Sequence, residues 1–168
     1  MGEGAPRRLP APVYFVDSAC STFIEQSRQT GKSICLGGGL VFLGACGAVR
    51  VQGVRVAFLS GTYDEGSYTK VWGAGDFVIG EPNYTANAIA AVKRKAAKLG
   101  GVDLLLTSEW PDRFWSTTSG KLEKSPVDAR YASPAVTELF FDLKPRYHAC
   151  AGAGVYRYRK APQGPYNF

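Results

Sequence analysis

With 168 residues, 45% of them hydrophobic, the chain has the length of one domain or most of one and can bury a sizeable core. No stretch approaches the roughly 18 consecutive apolar residues of a membrane span, and Met1 to Pro12, rich in Gly, Pro and Arg, lacks the apolar segment of a signal peptide. The formal charge of +6 and pI near 9.2 permit an acidic or nucleic-acid partner without specifying one. A single globular unit is expected from residue 12 to 168, preceded by a disordered segment, 1–11, in a cytosolic or nuclear protein.

Val13-Tyr14-Phe15-Val16 is a compact β-prone run closed by Asp17-Ser18, and reads as a strand. Ser21 to Ser27 has room for one or two helical turns. Gly37-Gly38-Gly39 breaks the chain before Leu40-Val41-Phe42-Leu43, and Val49-Arg50-Val51 and Val54 to Leu59 follow as further short strands. Glycine at each break suggests a meander in an antiparallel or mixed sheet. Ser60 to Pro82, with five glycines and little periodicity, reads as a long loop.

From Thr85 to Leu99 the apolar positions Ile89, Val92, Ala96 and Leu99 recur at steps of three and four. Lys93, Arg94, Lys95 and Lys98 fall largely on the other faces, and Gly100-Gly101 supplies a stop. This predicts a helix. Val102 to Thr107, almost wholly apolar, predicts a strand covered on both sides. Arg113 to Ala132 is polar and aperiodic. Ser133 then reads as an N-cap, with Pro134 as the first helical residue and Val136, Leu139 and Phe140 facing inward from a helix ending at Leu143. Tyr147 to Ala151 and Val155 to Tyr158 read as closing strands, and the whole as a layered α/β core.

Candidate chemistry is sparse. Thr30-Gly31-Lys32-Ser33 matches the end of a phosphate-binding loop, but Gln26 stands where its first Gly is needed, so an ordinary polar turn is expected. Gly37 to Gly39 is read as a turn for want of a following helix start. Glu109 and Asp112 flank Trp110-Pro111 as turn carboxylates, with an acid/base pair as the sharper alternative. His148 and Cys150 lie two apart on a strand, where a packed histidine beside a buried thiol is preferred to a catalytic couple. The four cysteines, Cys20, Cys35, Cys46 and Cys150, contain no C-x-x-C pair and are read as reduced, mostly buried thiols. Lys93-Arg94-Lys95 with Lys98 is read as a solvated helix face, and Tyr156, Arg157, Tyr158, Arg159 and Lys160 interleave rings with cations in a manner suited to single-stranded RNA.

Four segments in order resemble the amino-terminal domain of the CwfJ-like (CWF-nineteen-like) proteins, relatives of the lariat debranching enzyme. They are Pro12-Val13-Tyr14-Phe15-Val16, Val56-Ala57-Phe58-Leu59-Ser60-Gly61-Thr62, the run from Gly101 to Thr107-Ser108-Glu109-Trp110-Pro111, and Leu143-Lys144-Pro145-Arg146-Tyr147-His148; Pro165-Tyr166-Asn167 looks like the family's Pro-Tyr-Arg-Asn ending. The resemblance implies an α/β fold, an αββα sandwich of the metallophosphoesterase-like type. It implies a nuclear protein of the late, intron-lariat stage of pre-mRNA splicing, partnered by the debranching enzyme or another late-spliceosome protein and by RNA.

Active enzymes of that fold hold two metal ions with Asp, Asn and several His residues. Where they carry Gly-Asn-His-Glu, this chain has Val16-Asp17-Ser18-Ala19-Cys20; where they carry Ser-His-Asp-Trp-Pro, it has Thr107-Ser108-Glu109-Trp110-Pro111; and Ala151-Gly152-Ala153-Gly154 replaces their Gly/Ala-His-x-His. With a single histidine in the sequence, the expectation is a non-catalytic relative without metal or other cofactor. Its binding surface is expected to draw on Trp110, Pro111, Lys144, Arg146, Tyr147, His148, Tyr156, Arg157 and Arg159. The alternative is a weak metal-independent ribonuclease using His148, Arg146 or Glu109. Nothing before Pro12 resembles the family's opening βα unit and nothing after Phe168 its histidine-triad-like domains, so a partial domain with an exposed edge and apolar surface is expected.

Overall fold

A computed structural model describes residues 9–69, 81–112 and 129–151. It is a mixed α/β fold. Strand β1 (Val13–Phe15) leads to helix α1 (Ser21–Thr30), longer than the one or two turns expected, and then to β2 (Ile34–Gly37), β3 (Leu40–Phe42), β4 (Cys46–Val51) and β5 (Val54–Leu59). A short α2 (Glu65–Thr69) lies in the stretch expected to be loop. After it come α3 (Ala86–Lys98), β6 (Leu104–Thr107), β7 (Trp110–Pro111), a 3-10 turn at Ala129–Tyr131, β8 (Ala132–Ser133), α4 (Pro134–Leu143) and β9 (Tyr147–Cys150). The closing strand expected at Val155 to Tyr158 and most of Arg113 to Ala132 lie outside the described residues.

The expected meander divides into two hairpins in different sheets. Gly37, Gly38 and Gly39, all at positive φ, turn β2 back antiparallel onto β3, and β1 joins β3 in parallel to make a three-stranded sheet. Gln52 and Gly53, at φ 48° and 89°, make the tight turn between β4 and β5, the geometry that matches the right-handed twist of paired strands. A four-stranded sheet follows in the order β4-β5-β6-β9, antiparallel at the first pair and parallel at the other two.

Both parallel connections step across this sheet in one direction, β5-α3-β6 and then β6-α4-β9. Right-handed crossovers therefore place both helices on one face. Ala57, Leu59 and Leu105 from that face form the main core with Ala88, Ile89, Val92 and Ala96 of α3 and Val136 and Leu139 of α4. Lys93, expected on the solvated side of α3, instead bridges to Glu138 and Asp142 of α4. The opposite face, where Val56 and Phe58 meet Leu43 and Val16, is thinner. Leu104 and Leu106 on it are only half-buried, so β6 is not covered equally on both sides as expected, and Val49 and Val54 are exposed.

Arg55 fastens the entry to β6. Its Nε and Nη2 reach Oδ2 and Oδ1 of Asp103 at 2.9 and 2.7 Å, while Nη1 donates to the Gly100 carbonyl. These hydrogen bonds hold the Asp103 carboxyl well below the usual carboxylate range, with Arg146 adding a weaker attraction.

Leu105 has no exposed surface, whereas Leu36 is 40% exposed. Leu105→Ala is expected to lower the free energy of unfolding by about 2–5 kcal/mol, and Leu36→Ala by no more than about 0.5 kcal/mol, in urea titrations. Equal losses from the two would contradict this placement of the core.

Candidate functional site

The C-terminal ends of β5 and β6 carry a closed set of polar side chains. Glu109, read from the sequence as a turn carboxylate beside a proline, is 3% exposed. Its Oε2 accepts the Tyr84 hydroxyl at 2.6 Å, and both oxygens lie 2.9–3.0 Å from the backbone N–H of Tyr63. Tyr84 is itself fully buried, and its oxygen lies 2.7 Å from Ser133 Oγ. Because Tyr84 gives its proton to Glu109, Ser133 donates to Tyr84 and its own oxygen receives the N–H of Val136. The N-cap of α4 is thereby the first link of a polarised chain ending on a carboxylate.

Burial pushes the Glu109 carboxyl upward, while the donors from Tyr63 and Tyr84 pull it back. Burial, then the neighbouring Glu109, pushes the Tyr84 phenol well above its ordinary value. Other polar groups nearby are also hydrogen-bonded, Ser60 and Ser108 in the interior and Asp17 and Asp112 nearer the surface. Ser108 Oγ donates to the Gly61 carbonyl and Ser60 Oγ to that of Gly44. Asp17 Oδ1 accepts the N–H of Ala19, and Asp112 accepts the hydroxyl of Thr137.

His148 sits on the helix-covered face of β9, opposite Leu105, with its ring stacked on Phe140 at 5.5 Å. Thr107 Oγ1 donates to the Glu109 carbonyl at 2.7 Å and lies 2.8 Å from His148 Nε2. The single hydroxyl proton being spent on Glu109, Nε2–H is the donor to Thr107, which fixes the tautomer. Burial lowers the His148 pKa to about 4 and pushes the Cys150 thiol up to about 12. His148 and Cys150 share a face as expected, yet the imidazole is committed to Thr107 and the thiol stays protonated. Of the other cysteines, Cys46 is buried, Cys20 half-buried and Cys35 exposed.

The sequence-predicted surface divides. Trp110 and Pro111 are buried in β7, so they pack and do not face a partner. Lys144, Arg146 and Tyr147 are exposed, but they precede β9 or begin it, at the end of the sheet opposite to Trp110, because Tyr147 pairs with Leu104 and Cys150 with Thr107. Lys144 caps α4 in the left-handed region, at φ 46°. Tyr156, Arg157 and Arg159 lie outside the described residues. The residues at the ends of the strands do not fit a dimetal donor set, since both oxygens of Glu109 and the only imidazole face inward partners. Among the described residues no group of three or more His, Cys, Asp or Glu side chains is placed to hold a metal, and no helix is long and apolar enough to cross a membrane.

Sequence reasoning missed Tyr84, whose role depends on two segments brought to it from positions 109 and 133; only the N-cap signal of Ser133 was visible. A second feature it missed is a cleft of about 630 Å³ between the C-terminal end of α1 and the edge strand β4, lined by Arg28, Lys32, Arg50 and Lys95.

Removing the Tyr84 hydroxyl takes away the shorter of two donors to a buried carboxylate, so Tyr84→Phe is expected to cost about 1–3 kcal/mol of stability in denaturant titrations; a neutral result would count against the chain of donors. The single histidine allows a direct test by NMR. Its imidazole is expected to titrate near pH 4 with the proton on Nε2. Because the folded state resists protonation, stability should be constant above about pH 6.5 and fall as the pH drops from there toward 4. An imidazole titrating at its ordinary value of 6.5 would show the ring to be solvated.

No family model matches the chain. Curated proteins do. A CWF19-like protein 1 homolog from Drosophila melanogaster is 33% identical over 79% of the chain and 22% of that protein. Zinc finger CCCH domain-containing protein 64 from Arabidopsis thaliana is 30% identical over 91% of the chain and 26% of its own length. CWF19-like protein 1 from Xenopus laevis is 28% identical over 76% of the chain and 22% of its length. The chain thus spans about a quarter of the length of the curated relatives it matches. Homologues bearing the name CWF19-like protein support a CWF19/CwfJ-like family for this chain.

Proposed function

We propose that this chain is a non-catalytic, metallophosphoesterase-like binding module of a splicing-associated nuclear protein, acting in intron-lariat turnover by binding the debranching enzyme, RNA or both. The observation that carries the reading is the state of Glu109. It stands in the segment resembling the family's Ser-His-Asp-Trp-Pro, and its carboxylate is closed off by Tyr84 and by the backbone of Tyr63. A ligand for a substrate-clamping metal needs lone pairs directed outward to the ion. Here they are spent on holding β6 to its neighbours. The two parallel βαβ units under α3 and α4 are consistent with half of an αββα sandwich, and the CWF19-like relatives supply the link to splicing.

A metal-independent ribonuclease would need an accessible acid or base. His148, the natural candidate, is stacked on Phe140 and bonded to Thr107.

Elemental metal analysis of the purified protein, followed on the same sample by cleavage of labelled branched and linear RNA with and without manganese, tests the proposal. Expected are no stoichiometric metal and no cleavage, with the debranching enzyme or RNA retained on the immobilised protein. About two bound metals per chain, or cleavage that follows the protein and disappears in His148→Ala while the fold persists, would sink it.

A further inference from the structure

The cleft beside β4 has a chemistry that the buried network does not account for. Among the described residues four cations line it and no carboxylate does. Arg28 is paired with Glu25 at 2.6 Å, but Lys32, Arg50 and Lys95 make no ion pair among the described residues. Two of these are anchored by neutral acceptors. Lys95 Nζ donates to the Cys46 carbonyl at 3.2 Å, and Arg50 Nη1 donates to that of Gly53 at 3.2 Å. A carbonyl positions a cation without cancelling its charge, so two uncancelled charges are fixed along one groove with that of Lys32 beside them. Such an arrangement is repulsive unless an anion enters it.

The wall along β4 is closely packed at two glycines. A Cβ at Gly47 would come within 2.9 Å of the Phe58 ring and 3.5 Å of Lys95 Nζ, and one at Gly44, where φ is +132°, within 2.7 Å of Ser27 Oγ. Both glycines therefore pack tightly against their neighbours, and between the cations the lining includes Ser27 and Phe58 as well as backbone. Strand β4 is also the edge of its sheet. The backbone N–H of Ser60 donates to the Ala45 carbonyl and Cys46 lies opposite Leu59, so odd-numbered residues of β4 bond to β5 while the N–H groups of Ala48 and Arg50 point outward. Tyr14, 37% exposed, also lines the cleft.

We infer that the cleft between α1 and β4 binds the phosphodiester backbone of single-stranded RNA, with Lys32, Arg50 and Lys95 on successive phosphates and Tyr14 stacking a base. The inference rests on the binding-module reading and gives that module an RNA site away from Lys144 and Arg146. Cations in a groove beside an exposed aromatic ring are the arrangement single strands favour, phosphates on charge and bases on π-faces. An acidic peptide added as a strand to β4 fits less well. It would need the outward carbonyl of Cys46 as an acceptor, and Lys95 already holds it.

The test is fluorescence anisotropy of a labelled oligouridylate across a salt series, on the intact chain and on variants whose thermal melts match it. Lys32→Ala/Arg50→Ala is expected to weaken binding at least tenfold and to flatten the plot of log K against log salt by about 1.4, at about 0.7 for each phosphate no longer neutralised. Tyr14→Ala should weaken it about fivefold or more with the slope unchanged. Arg94→Ala/Lys98→Ala, which removes two exposed cations of α3 that do not line the cleft, should leave both quantities as they are. No RNA binding by the unaltered chain, or binding indifferent to Lys32 and Arg50, overturns the cleft assignment; retention of the debranching enzyme would still leave the module reading standing. Oligoglutamate displacing the RNA at equal charge would reassign the groove to an acidic protein. Cleavage of the RNA would instead defeat the module reading while leaving the cleft assignment to the variants.

Discussion

Burying one carboxylate constrains this fold more than any other single choice in its sequence. Removing the charge of Glu109 from water is costly, and the site is tolerable only because Tyr84, the backbone of Tyr63 and, through Tyr84, Ser133 are delivered to it together. Those partners come from three separated stretches, the loop after β5, the residue before the cap of α3 and the start of α4, and meet Glu109 just after β6. Satisfying one side chain therefore fixes where both covering helices begin. The Thr107 relay adds a second fastening, tying the Glu109 carbonyl to His148 on β9.

That constraint also bears on chemistry. Loops at the C-terminal ends of parallel strands are where α/β proteins usually place reactive groups, since the strands there diverge and leave a crevice. In this chain the hydroxyls at that end donate to carbonyls or to carboxylates, the carboxylates accept from hydroxyls and backbone N–H groups, and the lone histidine is neutral over the physiological range. The open, charged surface lies elsewhere, on the edge strand next to α1. A fold of this kind can retain its architecture while its working surface moves, because architecture depends on core packing and function on the groups left facing solvent.

The opposite face of the four-stranded sheet adds a further consequence of topology. Both crossover helices sit on one side, so Val49, Val54 and Tyr147 on the other side remain open to water, Tyr147 at 69% exposure. An edge strand above such a face invites pairing with another chain. Lys95 counters this at Cys46 by occupying an outward carbonyl, and the turn at Gln52 and Gly53 ends the strand soon afterwards.

Several local features were legible from the amino-acid order because they are set by short-range physics. The 3.6-residue period of Ile89, Val92 and Ala96 gave α3, Ser133-Pro134 gave the start of α4, and the triple glycine gave the turn after β2. The extent of β5 and the end of β6 followed from their apolar runs, although β6 begins at Leu104, two residues after the predicted start, and the turn reading of Thr30-Gly31-Lys32-Ser33 agrees with Gly31 closing α1 in the left-handed region. Tertiary structure alone decided that the two hairpins enter different sheets, that Trp110 is buried while Tyr147 is not, and that a carboxylate beside a proline is a core residue. It also gathered Lys32, Arg50 and Lys95 into one groove, although they lie 18 and 45 residues apart in sequence. The physical reason is range: propensity and periodicity act over a few residues, whereas burial and charge environment depend on which distant segments the packing of α3 and α4 brings together.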